Sequence, residues 1–107
     1  MQELAKDTFR LKKDVQKGDK ESLQTLFDDA ERLKHMEVLS HVEQDTTVRV
    51  VLEGIGEVDL EIGAELKKGQ KKTIMTLFHY PVRATLFSVS KNAKAGQNVP
   101  LKIFVSS

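Results

Sequence analysis

At 107 residues, with 39% apolar and 31% charged side chains, the chain has the size and balance expected of one ordinary domain with a modest core. Its 17 basic and 16 acidic residues leave a net charge of +1, without the cationic excess that displaces counterions from nucleic acid, so a nucleic-acid partner is not expected. The absence of cysteine excludes disulfides, thiolate metal sites and cysteine nucleophiles.

Up to Leu39 the apolar residues recur every three or four positions. Leu4, Leu11 and Val15, with Ala5 and Phe9 to one side, predict a helix over 2–16. Lys17-Gly18-Asp19 reads as a glycine stop followed by an aspartate cap for the next helix. Leu23, Leu26, Phe27, Ala30 and Leu33 predict that second helix over 20–39. Glu21, Asp28 and Asp29 come early in it and Arg32, Lys34 and His35 late, the polarity that a helix dipole favours. The stripe smears at Met36, Val38, Leu39 and Val42. Either the helix ends near Leu33, or its end is enclosed on several sides, as at a subunit interface. A helical piece of about 40 residues is too short to stand alone and must pack on the rest of the chain or on copies of itself.

From Val48 the rhythm becomes alternation: Val48, Val50 and Leu52, then Val58, Leu60 and Ile62, and finally Val99, Leu101, Ile103 and Val105. Strands are predicted over 47–53, 57–62, 71–78, 82–90 and 99–106. Gly54 and Gly56 mark a tight hairpin, His79-Tyr80-Pro81 a stiff break, and 91–98 a polar loop. Pro100, lying within the last strand, suggests an edge position. The predicted fold is α+β: a single domain over 1–107, with an N-terminal helical hairpin (1–43) followed by a five-stranded, mostly antiparallel β-sandwich or barrel-like sheet (44–107). The two parts carry 8 basic against 10 acidic residues and 9 against 6, too small a contrast to dictate a partner. With no apolar leader and no run near the ~20 apolar residues that span a bilayer, no transmembrane segment is expected, and the setting is read as cytoplasmic or virion-associated.

Glu37, His41 and Asp45 are spaced i, i+4, i+8, but the segment is fraying into the first strand, and His35 is poorly placed to join them, so no metal is expected. Lys67, Lys68, Lys71 and Lys72 surround Gly69. They are candidates to hold a phosphate, an acidic head group or an acidic protein surface; the competing reading is a solvated tip that discourages edge-to-edge association. Glu57, Asp59 and Glu61 share one strand face, opposite Val58, Leu60 and Ile62. Such a ladder is a wet face that can pair with a basic neighbour or bind a cation. His79 and Tyr80, beside Phe78, are interface anchors or plugs of the core.

No nucleophile elbow, H-E-x-x-H helix, phosphate loop or dinucleotide fingerprint is present, so neither an enzyme nor a cofactor is expected. The reading that follows is a non-catalytic structural or assembly module acting through protein–protein contacts, as a homo-oligomer, for which a virion or phage component is one setting. Phe9, Met36, Val38 and Leu39 would be its contact residues. The alternative is a monomeric β-module adaptor that holds a peptide, ligand or anionic surface through its loops, with Lys67, Lys68, Lys71, Lys72, His79 and Tyr80 in contact. A small enzyme using His79 or His41 as base is the remotest reading.

Overall fold

The structure, a computed structural model, describes residues 2–39, 44–61, 67, 70–77 and 86–105. Its strands are β1 (Gln2–Arg10), β2 (Lys20–Ser22), β3 (Glu37–Leu39), β4 (Thr47–Leu52), β5 (Gly56–Glu61), β6 (Lys71–Thr73), β7 (Leu86–Val89) and β8 (Asn98–Val105). Among the described residues helix is confined to three single turns, α1 (Leu23–Leu26), α2 (Glu31–Lys34) and α3 (Ile74–Leu77). The N-terminal helical hairpin of an α+β fold is therefore absent, and the chain is mostly β from its first described residues.

Among the described residues six strands form one antiparallel sheet in the order β1-β8-β4-β5-β7-β2; β3 and β6 form a separate antiparallel pair. The order hides a continuity. One register runs from Ala5↔Ile103 through Val15↔Ala93 to Ser22↔Leu86, so residues 2–22 and 86–105 are a single long ribbon of two strands. The ribbon bends around the β4–β5 hairpin, its β8 limb flanking β4 and its β7 limb flanking β5. Polar side chains fasten the bend: Asp14 Oδ1 accepts from Ala95 N at 2.7 Å, and Asn92 Oδ1 from Lys17 N at 2.9 Å.

The apolar residues of the first forty positions do reach the core, but by a different geometry. In β1 the register shifts between Glu3 and Ala5, a bulge that leaves Leu4 as an extra residue, buried on the same side as Phe9 and Leu11. Leu4, Leu11 and Val15 therefore imitate a helical stripe although each lies on extended chain. Lys17-Gly18-Asp19 punctuates a strand, not a helix: Asp19 N donates to Gln16 O at 3.0 Å, with Gly18 at φ 97°. Leu23, Leu26, Phe27, Ala30 and Leu33 are all buried, as their spacing implied. The helix that should carry them is broken at Phe27, whose φ of −129° and ψ of 138° are extended and which bridges to Leu11. The Phe9 and Phe27 rings meet there, with centroids 5.5 Å apart at 45°.

The central hairpin follows its alternation. Val48, Val50 and Leu52 of β4, Leu60 of β5, and Val99, Leu101 and Ile103 of β8 point into the core. Pro100 is not at an edge, since β8 lies between β1 and β4. It is tolerated because it stands at the end of the β4 ladder, opposite the exposed turn residue Glu53. Its carbonyl accepts from Glu53 N at 2.9 Å, and the N–H it lacks would have pointed at that turn. The strand predicted over 71–78 is only β6, and the chain turns helical at Ile74. Among the described residues no helix is long and apolar enough to cross a membrane.

Candidate functional site

An open trough of about 430 Å³ lies where the β4–β5 turn meets β7, lined by Val51, Leu52, Gly54, Gly56, Glu57, Ser88, Val89 and Ser90. Its shape comes from two glycines with different tasks. Gly54 adopts φ 82° in the turn closed by Ile55 N donating to Leu52 O at 2.9 Å. Gly56 does not need unusual dihedrals; it needs the lack of a side chain, because a Cβ there would lie 2.7 Å from the Ser88 carbonyl oxygen. Ser90 N donates to Ile55 O at 2.6 Å and holds the β7 limb against the turn.

Half-buried Val51 supplies the apolar side chain of the floor, Leu52 and Val89 turning theirs into the core; Ser88, Ser90 and Glu57 are exposed at the rim. The Lys91 ammonium reaches over the turn, 3.7 Å from where a Cβ on Gly54 would stand. Beside the trough, Arg49 donates to Asp59 Oδ1 at 2.9 Å and lies 3.9 Å from Glu57 Oε2. The Asp59 bond, then the charges of Asp59 and Glu57, raise the Arg49 pKa above its ordinary value. Two residues of the acidic ladder, Glu57 and Asp59, thus pair with a basic neighbour. Glu53 is likewise held below the ordinary carboxylate value by its bond from Lys102, at 2.8 Å. Floor and rim together can take an apolar side chain while offering hydroxyl and carboxylate oxygens to the amides on either side of it. His35, the only histidine among the described residues, does not line the trough.

The residues singled out from sequence lie elsewhere. Phe9 is 1% exposed and Val38 is fully buried, which removes both from any surface of this chain and places them in its own core. Met36 is half-buried against that core. Across the β3–β6 pair Val38 stands opposite Lys72 and Leu39 opposite Lys71, so two candidate groups from distant segments do meet. Lys71 lies 4.0 Å from Glu37, which offsets its charge, and Lys67 is exposed in a turn closed by Gln70 N donating to Lys67 O at 3.0 Å. Lys68, His41, His79 and Tyr80 fall outside the described residues. Among the described residues no group of three or more His, Cys, Asp or Glu side chains could hold a metal ion.

Sequence reading missed Val51, Ser88 and Ser90. The signal was present in part, since Ser88-Val89-Ser90 alternates polar and apolar residues as a half-buried strand does. What it lacked was the pairing Gly56↔Val89, which no local pattern encodes. Compared with family models, with curated proteins and with solved structures, the chain matches none.

Proposed function

We propose that the chain is a non-catalytic protein-interaction module that holds a short segment of a partner protein in the trough beside Gly56. One observation carries the reading: a shallow trough floored by Val51 and rimmed by Ser88, Ser90 and Glu57, directly beside the exposed backbone of Gly54. A peptide suits that combination, because it brings apolar side chains and main-chain amides together. Selection from a random peptide library, followed by amide shift mapping, tests it. Bound peptides should perturb Gly54, Gly56, Ser88 and Ser90, and Val51→Lys should abolish binding in a chain that keeps its fold. Perturbations confined to β3 and β6 would sink the proposal.

Self-association is the second reading, supported by Met75 and Leu86, which are 61% and 58% exposed. Here the contact would not use a helical stripe, because those residues fill the core. A wild-type mass that rises with concentration and is returned to one chain by Met75→Lys with Leu86→Lys supports it; a constant single-chain mass removes it.

A further inference from the structure

The ribbon of residues 2–22 and 86–105 has two sides. Leu11 N donates to Gln97 O at 2.9 Å, and Val15 and Ala93 exchange bonds of 2.9 and 3.0 Å. Hydrogen-bonded pairs alternate in an antiparallel ladder, so the odd-numbered residues of β1 beyond its bulge bond toward β8, and Lys6, Thr8 and Arg10 carry their N–H and C=O groups to the outer edge. Among the described residues no strand pairs with that edge, although β3 lies near it. An extended edge whose outward backbone groups take no strand partner among the described residues is a template for another strand.

The middle of the edge is nevertheless occupied. Arg32 Nη2 donates to Thr8 O at 2.6 Å, and Thr8 N donates to Asp7 Oδ1 at 2.8 Å. One position past β1, Lys12 N donates to Leu26 O at 2.8 Å. Three anchors hold the guanidinium in place. It is bonded by Asp7 Oδ2, paired with Asp29 Oδ2 at 2.9 Å, and seated 4.3 Å above the centroid of the Phe9 ring. An ordinary surface ion pair would need neither the aromatic seat nor the backbone carbonyl.

We infer that Arg32 is a lock on the outer edge of β1, filling the backbone acceptor at Thr8 that the β1 strand of a second copy of this chain would otherwise take. The second copy is the occupant denied, because every molecule carries the same edge and two such edges can meet about a two-fold axis. Only a planar, multiply donating group can serve Asp7, Asp29 and the Thr8 carbonyl from one position. The bond from Lys12 N to Leu26 O closes the far end of the edge, and that from Arg32 to Thr8 O closes its middle.

Arg32→Met tests this, since it keeps an apolar stem over Phe9 and deletes every donor. Sedimentation of wild type and variant across a concentration series should show the variant's average mass rising toward twice the wild-type value, with its circular dichroism retained. Adding Thr8→Pro to Arg32→Met should return the mass to that of wild type, because proline removes an outward N–H without touching the β8 ladder. Arg32→Lys, with a charge but no fork, should associate more weakly than Arg32→Met. A folded Arg32→Met that sediments as wild type overturns the inference, as does association that Thr8→Pro leaves unchanged. Unfolding of both Arg32 variants also overturns it, for Arg32 would then be a support of the fold and not a lock.

Discussion

Two arginines, one at the centre of the sheet and one at its margin, are each held by a pair of carboxylates, yet they do different things. Arg49 joins Asp59 and Glu57 across a single hairpin, where chain connectivity has already brought the partners together. Arg32 joins Asp29 of its own turn to Asp7 of β1, 25 residues away, and adds an aromatic ring and a backbone carbonyl. Exposed cross-strand pairs of the first kind contribute little, because water and salt screen them and the side chains lose freedom. The second kind closes a tertiary contact. Its value depends less on charge than on what else the guanidinium touches.

The largest expected effect tests that dependence at its base. Phe9→Ala removes the ring beneath Arg32 and the partner of Phe27, and should cost about 3–5 kcal/mol in urea unfolding. At the centre the comparable loss comes from backbone packing: Gly56→Ala drives a methyl into the Ser88 carbonyl and should cost about 1–3 kcal/mol. Arg32→Met should cost about 1–2 kcal/mol, the sum of a charged hydrogen bond and a cation–π contact, partly offset by the retained stem. Arg49→Met should leave the unfolding midpoint close to wild type. Equal losses from the two arginine variants would break the contrast drawn between centre and margin.

The smallest effect is on pH. Glu21 lies below its ordinary pKa of 4.5, first through its bond from Lys13 and then through that from Thr25. Glu53 is lowered from the same value by Lys102. A depressed carboxylate stabilises the fold fully above its unfolded pKa, and that contribution disappears as pH falls through the folded value. Acid unfolding should therefore show a slight loss of stability beginning near pH 4.5, reduced in Glu21→Gln and in Glu53→Gln. Lys13 and Lys102 are raised above 10.5 by the same bonds, so their contribution is whole below that pH and declines above it.

The hairpin of β4 and β5 was readable because everything that specifies it is local: alternating Val48, Val50 and Leu52, a glycine turn, then Val58 and Leu60. The burial of Leu23, Leu26, Phe27, Ala30 and Leu33 was readable for the same reason, since spacing reports which residues are inside even when it misreports the backbone. β1 was not readable. Its inward row is Ala5, Asp7, Phe9, Leu11, and the polar Asp7 makes sense only opposite Arg32, while the bulge at Leu4 shifts the period toward that of a helix. Its partner strand lies at the other end of the chain, beyond the reach of any propensity. The trough shared this fate: Gly54 was recognisable as a turn residue, but the reason for Gly56 is a carbonyl on β7.

The long ribbon also dictates an order of events during synthesis. Leu4, Phe9, Leu11 and Val15 leave the ribosome some seventy residues or more ahead of the strand that covers them, residues 86–105. Until it emerges, the early segment carries apolar side chains and open backbone on a tether, and among the described strands β4 and β5 alone can pair from local contacts. Completion of this fold is therefore a late and nearly simultaneous step, in which one distant strand arrives and threads its length along the waiting one.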